Sequence, residues 1–348
     1  MSANGGGSGA GSGGPDWSGL LKWSLAQTDP SGAATPLEQR RQLSEEERRW
    51  FYEAMESMVV NEGDQLKQGL LILSQPLDGE GSVDAQRRLE ALEDVEDLVA
   101  QIDLAKTFVK WEGMEVLLRL ATNGRAEARL RAAALSAAAT CLDHNPEAQE
   151  DFLKRKGVEK VLDVVVGGDD AADFRVKAKA VRALGASVRH NKKAFVQFLY
   201  AAGLGILLLS LKQALQQSTG SDGEDEEQQQ QQQRVVFVRK SFRLLEYVTR
   251  ESRVKFERTI PQVEETCLEG ACELVAMALG EAGRGDLEAR EAALSFFREC
   301  LLSDRDAMRE KSAGEGGGGV VARLREAAAG EEREDEIQLA KEALGMLA

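Results

Sequence analysis

The chain is poor in the residues that carry most protein chemistry. Its 348 residues include two histidines, four cysteines and six prolines, and aromatics make up 5%. Cys141, Cys267, Cys272 and Cys300 form no C-x-x-C pair, and the five-residue step from Cys267 to Cys272 is wrong for a zinc knuckle. They read as buried thiols in a reducing compartment, with no metal site. No H-E-x-x-H or G-x-S-x-G motif occurs. The Gly-rich run at 314–321 lacks the Lys-Ser/Thr of a phosphate loop and no strand precedes it, so it reads as a linker. No catalytic residue, enzyme activity or cofactor is expected. Basic residues are outnumbered, 44 to 59, for a net charge of −15. Such a chain repels phosphate backbones and anionic lipid, so neither nucleic acid nor a membrane is an expected partner. The longest apolar stretch, Ala201 to Leu211, is about half of the ~20 residues a membrane span needs. The N-terminus has no basic and apolar regions of a secretory signal. A soluble cytoplasmic protein, with access to the nucleus, is expected.

Ala and Leu dominate the apolar positions, and β-branched runs are short. The profile predicts an all-α protein. Residues 1–16 are a Gly/Ser segment expected to be disordered. Residues 17–84 form a helical N-terminal region. Within it, Ser44 and Glu47 make a capping box, and Trp50, Phe51, Ala54, Met55, Met58 and Val59 lie on one helical stripe.

From residue 85 the chain repeats itself. The phrases FVKWEGMEVLLRL, FLKRKGVEKVLDV and FLYAAGLGILLLS each place a Phe five residues before a glycine. Those glycines, Gly113, Gly157 and Gly203, are spaced by 44 and 46 residues, and each is read as the sharp turn before the next helix. His144-Asn145 and His190-Asn191 also stand 46 apart and read as structural helix ends. An all-helical period in the forties predicts an armadillo-like α-solenoid of about four repeats over 85–311, with one shared core and a concave side. Residues 218–233, acidic and Gln-rich, read as a disordered insert between two repeats. Residues 312–348 read as a Gly-rich gap that loosens the last unit, followed by C-terminal helices.

With no chemistry in view, a binding surface is the expectation. A basic residue stands four before an apolar one in each copy of a second phrase: Arg131, Lys177, Lys240 and Arg290, with a weaker first copy at Arg88. Arg129, Arg175 and Arg239 stand beside this series. In an armadillo array the third helix of each unit lines the concave face, so these cations are expected to form a ladder along it. A cation at a helix N-terminus is mildly disfavoured by the helix dipole, so its recurrence calls for a reason.

The blocks WSGLLKWSLA at 17–26, LSEEERRWFYEAM at 43–55 and AQIDLAKTF at 100–108, followed by helical repeats, resemble the Fes-one / heat-shock-protein-70-binding-protein-one family of nucleotide exchange factors. The similarity covers roughly 17–310, and its specific part is the N-terminal block. It implies a monomeric co-chaperone that grips the nucleotide-binding domain of a cytosolic 70-kDa heat-shock protein, opens its cleft and releases ADP, so that the client leaves. It also implies chaperone-contact positions at Asp103, Ala105 and Lys240. Lys240 is reached from the repeat pattern as well. Arg131, Arg175, Lys177 and Arg239 complete the expected contact set. The small Ala105 is read as a place where another surface approaches closely. Leu104, the insert before Lys240 and the irregular last repeat depart from the family pattern. A generic armadillo scaffold that binds extended peptides is the alternative reading.

Overall fold

A computed structural model of the chain describes residues 61–77, 83–167, 174–217, 225–255, 261–280, 286–313, 318–330 and 334–348, together with 45, 46 and 49. Two of the three family-like blocks, and the 44–59 stripe, therefore lie almost wholly outside the described residues. The chain divides into two compact units at Glu62/Gly63, and the helical stack belongs to the second.

The described elements of the stack are all helices: α1 (Glu62–Ser74), α2 (Ala85–Val99), α3 (Ile102–Lys110), α4 (Gly113–Thr122), α5 (Ala128–Leu142), α6 (Pro146–Lys154), α7 (Gly157–Val166), α8 (Phe174–Val188), α9 (Lys192–Tyr200), α10 (Gly203–Gln216), α11 (Asp225–Lys255), α12 (Pro261–Leu279), α13 (Leu287–Ser303), α14 (Arg305–Ala313), α15 (Gly318–Ala328) and α16 (Glu334–Leu347). Third helices stack in one layer, α2 on α5, α5 on α8, α8 on α11, α11 on α13 and α13 on α16. Second helices stack behind them as α4, α7, α10, α12 and α15. This is an armadillo-like α-solenoid, in which each unit buries its apolar face only against its neighbours.

The Phe-x4-Gly phrase has a clear physical basis, though not the expected one. The left-handed turn falls on the residue before each glycine, at Glu112 (φ 61°), Lys156 (φ 55°) and Ala202 (φ 56°). Each glycine instead opens the second helix, where Phe108, Phe152 or Phe198 packs so closely that an added Cβ would overlap its ring. All three rings are fully buried. The glycine is required by that contact rather than by backbone angle. The turn at Ala201 and Ala202 also bends the longest apolar stretch by 66°, so α9 and α10 are two core helices.

His144 and His190 hold the left-handed position at the end of a third helix, with φ of 53° and 58°. The following Asn145 and Asn191 are N-caps that accept hydrogen bonds from the amides of Ala148 and Ala194. The four cysteines are free and buried, and burial pushes the thiols of Cys141 and Cys267 up to about 12.

Two expectations are corrected. Residues 225–233, expected as part of a disordered insert, are the helical start of α11. Extending an established helix avoids the cost of nucleation, and Gln is a good helix former. The last unit is not loosened, because α14, α15 and α16 form a three-helix repeat whose second and third helices pack on α12 and α13. The irregular unit is the one before it, where α12 and α13 have no separate short first helix among the described residues.

Candidate functional site

The recurring cation at the start of each third helix turns inward. Arg131 Nε donates to the Ala121 carbonyl near the C-terminus of α4, at 3.2 Å. Arg290 Nη1 does the same for Leu279 at the end of α12, at 3.1 Å. Arg88, 1% exposed, donates to the carbonyls of Ile72, Gln75, Pro76 and Val83 around the end of α1. A guanidinium placed on the last carbonyls of a helix satisfies acceptors that lack an intrahelical partner and complements the dipole. In α11 this part is taken by Arg234, whose Nη1 donates to the Ala214 carbonyl at 2.9 Å, and not by Lys240. Lys177 is buried, with its amine 6.0 Å from the centre of the Phe174 ring, and burial lowers its pKa. The expected ladder along the third-helix face is thus mostly a set of joints between second and third helices. The dipole anomaly disappears for Arg88, Arg131 and Arg290, because each of these serves the C-terminus of the preceding helix.

Lys240 escapes this pattern. It is half-buried in α11, and its pKa is lowered to about 8, first by burial and then by repulsion from Lys179, Arg182 and Arg239. Arg239 is neutralised by Glu288 of α13. Lys179 Nζ donates to Ser136 Oγ at 2.8 Å. Arg182 donates to Glu96 Oε1 at 3.0 Å, to Ser136 Oγ at 2.8 Å and to Thr140 Oγ1 at 2.9 Å. Ser136 and Thr140 in turn donate to the same Glu96 oxygen, at 2.7 and 2.9 Å. Burial alone would raise the Glu96 carboxyl, but the hydrogen bonds from Ser136, Arg182 and Thr140 outweigh it and hold the pKa below the usual value. One carboxylate therefore ties α2, α5 and α8 together and leaves Lys179, Arg182 and Lys240 as a cationic notch. Lys240 has no hydrogen-bond or anionic partner among the described residues. A half-buried ammonium among other cations, with no anionic partner among the described residues, carries an unfavourable charge that an anion would relieve.

The remaining expected positions lie elsewhere. Arg175 is half-buried in the first turn of α8. Asp103 is exposed in the first turn of α3. Ala105 is 1% exposed and belongs to the core, so its small size is not a landing place on the surface. One repeat later its position is occupied by Gln149, which accepts from Asn191 Nδ2 at 3.2 Å and donates to the Ala186 carbonyl at 2.9 Å. With alanine at 105 the matching amide, Asn145 Nδ2, is buried without a partner. Glu96, Ser136, Thr140, Lys179 and Arg182 were not singled out by sequence reasoning. The available signal was that Ser136 and Arg182 stand 46 apart, as repeat-equivalent polar residues on Ala-rich helices.

The fold places the chain among armadillo-like α-solenoids. Fold neighbours include a designed armadillo repeat protein in complex with the peptide (KR)4, with TM-score 0.56, 15% identity and coverage of 81% of this chain and 99% of that one. An engineered protein aligns with TM-score 0.58 and 19% identity over 81% of this chain and 98% of its own. At those identities the likeness concerns the fold alone. The model of the family described as nucleotide exchange factor Fes1 matches residues 17–108. Hsp70-binding protein 1 of Homo sapiens is 32% identical over 208 residues, 57% of this chain and 55% of its own length. The Hsp70 nucleotide exchange factor FES1 of Kluyveromyces lactis is 30% identical over 150 residues, 43% of this chain and 49% of its own. This chain thus spans about half the length of the curated relatives it matches.

Proposed function

We propose that this protein is a cytoplasmic nucleotide exchange factor of 70-kDa heat-shock chaperones, acting as a monomer on the nucleotide-binding domain, promoting ADP release and so freeing the client. The observation that carries this reading is the match of residues 17–108 to the Fes1 family model, whose part from Glu62 onward consists of the helices α1 to α3. The notch supports it chemically, since Lys240 has no anionic partner among the described residues and a partner's acidic side chain would supply one.

The mechanism is linkage. A factor that binds the open, nucleotide-free chaperone more tightly than the closed, ADP-bound one weakens ADP by the same coupling free energy. A hundredfold weakening needs about 2.7 kcal/mol, within reach of one ordinary interface. No reacting group of its own is needed, so the factor is not an enzyme in this reading.

The test is release of fluorescent ADP from a purified cytosolic 70-kDa chaperone. Acceleration by the full chain is expected, with loss on Lys240→Ala combined with Arg182→Ala. A full chain that leaves the release rate unchanged would overturn the proposal.

A further inference from the structure

A second charged surface lies at the other end of the third helices, at the α5–α6 and α8–α9 turns. Because His144 and His190 occupy the same position in successive units, their rings stack, with centroids 6.0 Å apart and planes 26° apart. Three clefts share His190. The one between α6 and α9 has a volume of about 430 Å³, within the range of ligand sites, with Pro146 and Leu153 as apolar lining. Arg189, Lys192 and Lys193 border it against one carboxylate, Glu150, while Asp143 stands 3.8 Å from the His144 ring nitrogen. Arg189 and Lys193 are exposed, and their side chains have no hydrogen-bond or anionic partner among the described residues. In a chain of net charge −15, this cleft itself has more cations than carboxylates, whereas Glu251 and Glu291 line the neighbouring clefts on the other side of His190.

We propose that this cleft binds a short acidic peptide segment. One carboxylate would pair with Arg189, a neighbouring one with Lys193, and the stacked imidazoles would donate ring N–H groups to the acceptors between them. The apolar lining takes the peptide's carbon atoms. The interspersed Asp143 and Glu150 disfavour a continuous polyanion such as a nucleic acid, whose charges could not avoid them. This inference does not rest on the chaperone reading, because none of its residues belongs to the Lys240 notch.

The experiment is fluorescence anisotropy of labelled hexaglutamate with the full chain at low salt, with hexaglutamine as control. Binding of the acidic probe alone is expected. Arg189→Glu with Lys193→Glu is expected to weaken it at least tenfold, and Arg189→Gln with Lys193→Gln to an intermediate degree. His144→Asn with His190→Asn keeps residues that tolerate the left-handed turn and is expected to weaken it severalfold. All are exposed sites, and unchanged thermal melting shows that each variant is folded. Because the Lys240 notch also offers an ammonium to carboxylates, every measurement is repeated in a Lys240→Met background, where the remaining hexaglutamate binding is that of this cleft. Hexaglutamate affinity left intact by the charge reversal would overturn the proposal, as would a phosphorylated peptide without carboxylates binding more tightly than hexaglutamate.

Discussion

Replacing Lys240 by methionine is expected to make the protein more stable and less able to bind its partner. The ammonium is half-buried, faces Lys179, Arg182 and Arg239, and has its pKa lowered from 10.5 to about 8. At about 1.4 kcal/mol per pH unit that interval sets a ceiling of roughly 3 kcal/mol on the cost of holding the charge in the folded state. Water reaching the amine reduces the realised cost to about 1–2 kcal/mol. The folded pKa lies below the unfolded one, so the unfolded chain binds the proton more tightly. The cost is present in full below pH 8, fades as pH rises from about 8 to 10.5, and is absent above. Urea unfolding of wild type and Lys240→Met, followed at pH 7 and again above pH 10.5, measures it directly. The variant should be more stable by about 1–2 kcal/mol at pH 7 and nearly equal to wild type at the higher pH. A difference of the same size at both pH values would refute the reasoning, because packing of the methionine and not relief of charge would then explain it. In the same variant, partner binding should fall. In the wild type, binding of an anion should draw the Lys240 pKa upward, so affinity should decline as pH rises through about 8.

Three further outcomes are expected. Arg88→Leu, which strands four carbonyl acceptors around the end of α1, should cost about 3 kcal/mol, against about 1 kcal/mol for Arg131→Leu, which strands one; equal urea midpoints would contradict the role of these arginines as joints between helices. Ala105→Gln should supply the acceptor that Asn145 Nδ2 lacks and stabilise by up to about 1 kcal/mol, with the gain lost in an Asn145→Ala background when measured as a double-mutant cycle. Glu96→Gln should flatten the acid limb of the stability profile. The native carboxylate is held below its ordinary value, so its contribution is complete above about pH 4.5 and lost as pH falls through the folded value, whereas the amide has nothing to titrate.

How much was legible in the sequence depended on whether a signal was local. The Phe-x4-Gly phrase located three inter-helix turns, but spacing alone assigned the strain to the glycine. The positive φ sits on Glu112, Lys156 and Ala202, residues with no intrinsic liking for it, because the Phe ring closes over the next Cα. The recurring cations were visible, but their direction was not, since the acceptor for Arg131 is a carbonyl on another helix. In α11 the apparent register favoured Lys240 where the equivalent joint is made by Arg234. That misreading singled out a half-buried lysine with no hydrogen-bond or anionic partner among the described residues, for a reason other than the one that holds. Composition suggested disorder through the Gln run, while the unbroken run of helix formers from 225 into α11 held the contrary signal.

The Glu96 bridge has a mechanical consequence. In a stack whose units touch only their neighbours, bending is shared along its length and each junction acts as a separate spring. A carboxylate that accepts from Ser136 and Thr140 on one helix and from Arg182 on the next, 86 residues further along the chain, puts two junctions under a single clasp. The helices α2, α5 and α8 are then coupled through one carboxylate, whereas the α11–α13 and α13–α16 junctions are each held by their own pairs, Arg253 with Glu299 and Arg290 with Glu336. Lys240 stands on α11, the next third helix past that clasp, so a load applied at the notch falls where the shared three-helix clasp gives way to junctions bridged one at a time.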